Sequence, residues 1–113
     1  MPAGRPRRLR PAETAPIFAA LGDETRLRLV ARLSAGGPMS IARLTRGGSV
    51  TRQAVTKHLH VLASAGLARN ARLGRESVWE LEPRPLDEAR RCLDDISLEW
   101  GAALSRFRAF VER

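Results

Sequence analysis

The stretch TRQAVTKHLHVLASAG, residues 51–66, decides the fold of this chain. Its apolar side chains recur at i, i+4 and i+7, a spacing that predicts an amphipathic helix with one buried stripe. The stripe consists of Val55, Leu59 and Leu62, with Ala54 and Val61 beside them. Thr51 is a favoured N-cap residue, and Gly66 is favoured just past the end of a helix. The sequence therefore predicts a helix over residues 52–65.

A shorter helix is predicted immediately upstream. Ser40 is suited to cap the segment IARLTR, residues 41–46, and Gly47-Gly48 closes that segment. Two helices joined by a glycine-containing turn of about four residues form the helix-turn-helix pattern.

Two short runs follow the second of these helices. LARNARL (residues 67–73) and SVWEL (residues 77–81) flank Gly74-Arg75-Glu76. Gly74 can adopt the positive φ of a tight connection, so the two runs predict a β-hairpin. A hairpin in this position is the wing of a winged helix-turn-helix.

Further helices are predicted on both sides of this unit. Upstream, they cover about residues 12–21 and 24–34, and Asp23 caps the second. Its expected core residues are Leu27, Val30, Ala31 and Leu33, and its expected solvent-facing residues are Arg26, Arg28 and Arg32. Pro83 and Pro85 are expected to break the chain before a long C-terminal helix.

Positive charge is concentrated in two segments of the chain. The whole chain has 20 Lys and Arg against 12 Asp and Glu, a net charge of +8. Residues 1–10 hold four arginines and no acid, and residues 40–79 hold seven basic residues and one acid, Glu76. Residues 80–113 are slightly acidic. This distribution favours a nucleic-acid partner, whose phosphates the two basic segments would face.

One face of the residue 52–65 helix is suited to contact DNA. Opposite the buried stripe it carries only uncharged polar and basic side chains: Arg52, Gln53, Thr56, Lys57 and His60. Arg suits guanine, Gln suits adenine, and Thr suits either a base edge or a thymine methyl. Because recognition helices present their N-terminal residues to bases, we expect Arg52, Gln53 and Thr56 to contact them. Contacts to the DNA backbone are expected from Thr51, Lys57 and His60. The alternative is a face that is merely solvated.

The predicted hairpin is also basic. Arg72 and Arg75 lie at or near its tip and are expected to reach phosphates or a flanking minor groove. For Arg69 the alternative, a charged residue that only keeps the hairpin hydrated, stays open.

The C-terminal segment carries an unbroken heptad series. Its apolar residues alternate +3 and +4 spacings: Leu86, Ala89, Leu93, Ile96, Trp100, Ala103, Phe107 and Phe110. A helix of about 25 residues spans roughly 37 Å, more than so small a domain covers alone. A second copy of the chain would cover the rest. We expect the dimer interface to contain Phe18, Leu93, Ile96, Trp100, Ala103, Phe107 and Phe110.

The predicted fold is mainly α with a β-hairpin wing: a winged helix-turn-helix of about five helices plus a two-stranded hairpin. Residues 1–11, MPAGRPRRLRP, are expected to form a flexible basic arm. Residues 12–113 are expected to form a single DNA-binding and dimerisation domain. In it, the helix-turn-helix takes about residues 40–65, the wing about 67–81 and the dimerisation helix about 86–112.

Two segments in particular, ALGDETRLRLVARL (residues 20–33) and AVTKHLHVLASAGLA (residues 54–68), carry a family resemblance. Together with the Arg-Gly hairpin and its closing Trp79-Glu80-Leu81, they resemble the ArsR/SmtB-type winged-helix repressors. The resemblance spans about residues 15–82. It implies a homodimer that binds operator DNA and represses transcription until an inducer, here unknown, releases it. It also implies dimerisation through the first and last helices.

Many members of that family sense metals, and the residues here do not match their sites. Residues 41–44, Ile-Ala-Arg-Leu, stand where the family has a Cys-x-Cys motif. The C-terminal helix, where other members use Asp, His and Glu, has carboxylates and Cys92 but no histidine. Both histidines, His58 and His60, point apart on the recognition helix. We therefore expect neither a metal site nor a cofactor.

Other classes of protein fit the sequence less well. An enzyme is not expected, because no nucleophile–base pair or phosphate-binding glycine motif is present. A winged-helix adaptor for other proteins, or an architectural DNA-binding protein without sequence preference, remains an alternative. The single cysteine fits a reducing compartment, and no signal peptide or membrane span is evident. A cytoplasmic protein without a membrane partner is expected.

Overall fold

The computed structural model describes residues 10–112. In chain order its elements are α1 (Pro11–Leu21), α2 (Glu24–Gly36), α3 (Ile41–Thr45), α4 (Arg52–Ser64), β1 (Ala68–Leu73), β2 (Glu76–Leu81) and α5 (Pro83–Val111). These five helices and one antiparallel hairpin confirm the predicted fold class. The basic arm expected over residues 1–11 lies outside the described residues, except that Arg10 and Pro11 open α1.

Three helices begin at the residues that the sequence indicated, and each begins with the same kind of N-cap hydrogen bond. The side chain of the N-cap residue accepts a hydrogen bond from the backbone N–H three residues later. The distances are 3.0 Å from Arg26 N to Asp23 Oδ2, 3.2 Å from Arg43 N to Ser40 Oγ and 3.1 Å from Ala54 N to Thr51 Oγ1. These caps fix the starts of α2, α3 and α4. The turn between α3 and α4 is longer than expected, running from residue 46 to residue 51.

The core forms where α4 packs against α1, α2 and α3 and meets the hairpin. Leu59, Leu62 and Leu67 are fully enclosed, and Val55 is buried beside them, so the predicted stripe of α4 is confirmed. Val61, expected at the edge of the stripe, is instead 42% exposed.

In α2, the structure corrects the predicted inward face. The buried residues are Leu29, Val30 and Leu33, whereas Leu27 is 54% exposed and Ala31 is also exposed. The segment LRLVARL holds two apolar stripes on opposite sides of a helix, because residues two apart differ by about 160°. The stripe that contains Leu29 packs on the core.

The wing pairs β1 with β2 from Ala68↔Leu81 to Leu73↔Glu76, which leaves Gly74 and Arg75 as a two-residue loop. Gly74 has φ 66°, whereas the φ of Arg75 is not positive. A type II′ turn requires a positive φ at its first central residue only, so the loop fits this type. A third backbone segment extends the hairpin: Met39 N donates to Trp79 O at 3.0 Å, and Trp79 N donates to Met39 O at 2.8 Å. This bridge attaches the wing to the chain just ahead of α3.

The last helix starts earlier than expected. Pro83 and Pro85 lie in the first turn of α5 rather than breaking the chain before it. A first turn tolerates proline because its backbone N–H groups have no helical partner. Ala89 is buried and Leu86 packs against the core, so this end of α5 anchors the helix to the domain.

Candidate nucleic-acid interface

The N-terminal half of α4 presents an open polar face. Thr51, Arg52, Gln53 and Lys57 are all exposed. Within residues 10–112, the side chains of Arg52, Gln53 and Lys57 make no hydrogen bond or ion pair, so their donors are available to a ligand. No acidic residue occurs between Thr51 and Arg75. The face therefore has the sign of charge and the donors that phosphates and base edges require.

Thr56 sits lower on the same face and is half-buried. Its Oγ1 donates to the carbonyl of Arg52 at 2.9 Å. The hydroxyl proton is thus occupied within the helix, while the oxygen lone pair and the methyl group remain for a base edge.

His60 has a partner within the protein. Its ring contacts the indole of Trp79 edge to face, with centroids 5.6 Å apart and planes at 89°. His60 was expected to contact the DNA backbone. His60 is exposed and joins α4 to the wing through this ring contact, and its expected contact with the DNA backbone stays a prediction.

The three arginines of the wing differ in their surroundings. Arg72 and Arg75 are exposed, and neither forms an ion pair with any residue in the described range. Arg69 is paired twice, from Nη2 to Glu80 Oε2 at 2.6 Å and from Nε to Glu82 Oε1 at 2.8 Å. Its charge is therefore balanced within the hairpin, which favours the hydration alternative for Arg69 over a phosphate contact.

A polar network that the sequence did not predict holds α4 in place. Arg26 donates from Nε to the carbonyl of Ala20 at 2.6 Å, and its Nη1 lies 3.2 Å from His58 Nδ1. The guanidinium can only donate, so His58 Nδ1 accepts this hydrogen bond. Asp23 Oδ2 lies 3.8 Å from the same ring nitrogen. Arg26 thus joins the end of α1 to the middle of α4.

Asp23 is ionised more readily than an ordinary carboxyl group. The backbone N–H of Arg26 donates to it and lowers the pKa of Asp23 below 3.8, and the Arg26 charge adds to the effect. A carboxylate at the start of α2 is also favoured by the helix dipole.

A second arginine fixes α3. Arg32 is exposed, as expected, and its guanidinium also donates to the carbonyls of Leu44 at 2.8 Å and Arg43 at 3.2 Å. These carbonyls lie in the last turn of α3, and that of Arg43 also accepts from Arg46 N at 3.3 Å. Arg32 therefore clamps α3 to α2. A signal for it in the sequence would have been hard to find, because the partners are backbone atoms.

The residues expected at a dimer interface fall into two groups. Phe18 is half-buried against the core of its own domain. The rest lie on one face of α5 and are largely exposed, with Leu93 at 53%, Ile96 at 47% and Trp100 at 65%. Phe107 and Phe110 are similarly exposed, and Ala103 is half-buried. Leu104 and Val111, which lie outside the heptad series, widen this exposed apolar face.

Within residues 10–112, His, Cys, Asp and Glu do not gather in groups of three or more that could hold a metal ion. None of the helices in that range combines the length and the apolar character needed to cross a membrane.

Comparison with known proteins identifies the family of this chain. A model described as a helix-turn-helix domain matches residues 21–70. The HTH-type transcriptional regulator Rv2034 of Mycobacterium tuberculosis is 37% identical over 95 residues, covering 84% of this chain and 85% of the relative. An ArsR-like transcriptional regulator from Rhodococcus sp. RHA1 has a similar structure, with a TM-score of 0.72 and 34% identity, covering 88% of this chain and 92% of that one. The chain belongs to the ArsR family of transcriptional regulators.

One protein of similar structure is a repressor with a named effector. The AntR antimony-specific transcriptional repressor has a TM-score of 0.61 and 26% identity to this chain, covering 89% of this chain and 96% of its own. As an ArsR-family member, this chain is a DNA-binding transcriptional regulator. Its family is one of regulators and not of enzymes.

Proposed function

We propose that this ArsR-family regulator is a homodimeric repressor that recognises a palindromic operator in double-stranded DNA. The observation that carries the proposal is the open face of α4. Arg52, Gln53 and Lys57 are exposed there and have no partner within the described residues. Side chains of this kind, at the start of a recognition helix, are suited to the major groove.

Sequence recognition is assigned to three side chains of α4. Arg52 suits a bidentate contact to guanine, and Gln53 suits a bidentate contact to adenine. Thr56 offers its methyl group and a hydroxyl oxygen. Thr51 and Lys57 lie beside them and contact phosphates, which orient the helix but carry no sequence information.

The wing supplies a second set of contacts to the DNA backbone. Arg72 and Arg75 lie near or at the two-residue turn and project positive charge away from the core. They reach phosphates or a minor groove beside the helix site, whereas Arg69 stays paired to Glu80 and Glu82.

A second copy of the chain covers α5. The stripe from Leu93 to Phe110 is apolar and exposed along most of a helix of 29 residues. Monomeric proteins rarely leave so long a row of large apolar side chains in water. Because the interface of a two-fold dimer is self-complementary, the same stripe serves both partners.

Repression follows from where such a dimer sits. Two recognition helices in successive major grooves occupy about one turn of DNA on each side of the dyad. A relative named as a transcriptional repressor, AntR, has the same fold. We infer that occupancy of the operator blocks transcription, and that the protein acts in the cytoplasm.

Selection of bound sequences from a random duplex pool tests the proposal. We expect an imperfect palindrome, and an affinity for it that falls linearly in a log–log plot against salt, because bound cations are released from phosphates. Enrichment of no motif together with a flat salt response would refute sequence-specific binding. Enrichment of a single undivided site would refute the palindrome.

A further inference from the structure

A cleft of 240 Å³ lies between α2 and the turn that joins α3 to α4. It is separate from the exposed face of α4 and from the apolar stripe of α5. Its floor is apolar, formed by Leu29, Leu44 and Val55, which are each no more than 4% exposed, with the half-buried Val50 beside them.

The rim of the cleft is cationic. Arg28, Arg32 and Arg46 line it, with hydroxyl groups from Thr25 and Ser49, and no acidic residue lines it. The backbone N–H groups of Ser49 and Val50, in the same turn, donate no hydrogen bond to any described residue. Among the described residues, the side chain of Arg46 has no partner, whereas Arg28 is paired with Glu24 and Arg32 donates to the carbonyls of Leu44 and Arg43. An apolar floor beside this unpaired charge and these free N–H donors matches a small anion that has an apolar body.

Volume limits the size of that anion. An apolar cavity of about 150 Å³ is enough for a benzene molecule, whereas pockets for drug-sized ligands start near 300 Å³. The cleft lies between these values. We propose that it binds a small carboxylate with a ring-sized apolar body, and that this ligand weakens the binding of the operator. The regulatory half of the proposal rests on the proposed function, whereas the binding half does not.

The route from the cleft to the recognition helix is short. Arg32 lines the cleft and at the same time clamps α3 through the carbonyls of Leu44 and Arg43. A carboxylate beside Arg32 competes with these carbonyls for the guanidinium, because an ionised acceptor forms the stronger hydrogen bond. Val55 joins the floor of the cleft to α4. Occupancy therefore moves α3 and α4 relative to α2, which changes the surface that meets DNA.

Phenylacetate is the probe that tests binding, with phenylacetamide as its uncharged analogue and acetate as its counterpart without a ring. Each is titrated into the free protein while the methyl NMR signals of Leu29, Leu44 and Val55 are followed. We expect saturable shifts at these methyl groups with phenylacetate. Binding of phenylacetamide should be up to about fivefold weaker because the ion pair is lost, and acetate should also bind more weakly because it buries no ring. Equal binding of phenylacetate and phenylacetamide would overturn the cationic site, and equal binding of phenylacetate and acetate would overturn the apolar one. Equal binding of phenylacetate and acetate would instead indicate that the cleft is a groove for DNA phosphates.

Matched variants locate the site. Arg28→Gln removes one rim charge from an exposed side chain whose ion pair to Glu24 contributes little to stability. We expect it to weaken phenylacetate about fivefold, whereas Arg106→Gln, the same change on α5, leaves phenylacetate binding unaltered. Val50→Phe fills the cleft and should abolish binding. If Val50→Phe does not fold, the comparison of Arg28→Gln with Arg106→Gln still tests the location of the binding site. Equal effects of those two substitutions would overturn the location.

Regulation is measured separately, by titrating the selected operator with and without saturating phenylacetate. We expect a loss of DNA affinity within the usual range of about 5- to 150-fold, and an equal loss of phenylacetate affinity when DNA is bound. Binding in the cleft without any change in DNA affinity would overturn the regulatory role alone. Failure of the protein to bind DNA at all would refute the proposed function, and the NMR titration would still test the cleft.

Discussion

His60 on α4 and Trp79 on β2 meet edge to face, with ring centroids 5.6 Å apart. Trp79 is 5% exposed, and its backbone N–H and carbonyl both form hydrogen bonds with the backbone of Met39. The indole is therefore fixed, and the imidazole that rests on it is held in one place. The contact joins α4 to the wing, the two elements that we propose contact the same stretch of duplex.

Substitution of His60 separates ring packing from DNA contact. His60→Ala should lower the free energy of unfolding by about 0.5–1.5 kcal/mol, the usual value of an aromatic pair, and should weaken DNA binding. His60→Phe keeps a ring against Trp79 and should restore stability and most of the affinity. Thermal melts and DNA titrations measure the two effects. If His60→Ala is as stable as the unaltered protein, the contact does not position the wing.

Bases and phosphates should respond differently to substitution. Arg52→Ala or Gln53→Ala should each cost about 1–3 kcal/mol at one base position and relax preference there, because a bidentate contact is lost. Arg75→Ala should weaken all sequences about equally and reduce the salt slope by about one. Affinities for operator variants at several salt concentrations test this. An unchanged specificity ratio in Arg52→Ala and Gln53→Ala would show that the face is wrongly assigned.

Most of the local structure was predictable from the sequence. Caps such as Thr51 act within one helical turn, and the Gly74 turn needs only its own backbone freedom, so short-range patterns were sufficient. The inward face of α2 was not predictable, since Leu27 and Leu29 head two stripes of similar hydrophobicity. Which stripe is buried depends on the position of α4, a tertiary effect that a single helical pattern does not contain.

The supporting contacts of the site were the least predictable part. Arg26 and His58 are 32 residues apart, and only the packing of α2 against α4 brings them to 3.2 Å. Arg32 bonds to backbone carbonyls, which every residue carries, so no side-chain pattern marks its partners. The exposed face of α4 was easier to predict because it needed only helical periodicity and residue chemistry.

Asp23 should give stability a dependence on acid pH. Its lowered pKa means that the folded state holds the carboxylate ionised, so its stabilisation is complete above pH 3.8 and is lost as pH falls through the lowered pKa. Asp23→Asn keeps a capping oxygen but does not titrate, so it should be less stable at neutral pH and approach the unaltered protein below pH 3.8. Denaturant unfolding from pH 3 to pH 7 measures this, with Asp94→Asn on α5 as the control. A stability gap that stays constant across this range would contradict the assignment.

Antimonite, arsenite and zinc should not release the protein from its operator. Soft metal and metalloid ions bind clustered thiolates and imidazoles, and this chain has a single cysteine, Cys92. Titration of each ion into the protein–DNA complex, followed by fluorescence anisotropy, tests the prediction, and Cys92→Ser should behave like the unaltered protein. Stoichiometric binding of any of these ions with loss of DNA affinity would show that the chain shares the chemistry implied by the name of AntR.

The exposed apolar face of α5 is the proposed dimer interface, and the affinity for the operator should depend on it. Trp100 is 65% exposed in the stripe, and Leu98, two residues earlier, is 75% exposed on the opposite side of the helix. Burial of each large apolar side chain of the stripe in a partner is worth about 1.5–3 kcal/mol. Trp100→Asp should therefore give monomers that lose most operator affinity, because two linked DNA contacts become one. Leu98→Asp places the same charge on the same helix and should stay dimeric.

Sedimentation of the unaltered protein and both variants at micromolar concentration measures the oligomeric state, with circular dichroism to confirm folding. An unaltered protein that sediments as a monomer, or two variants with the same oligomeric state, would refute a dimer interface on the stripe of α5.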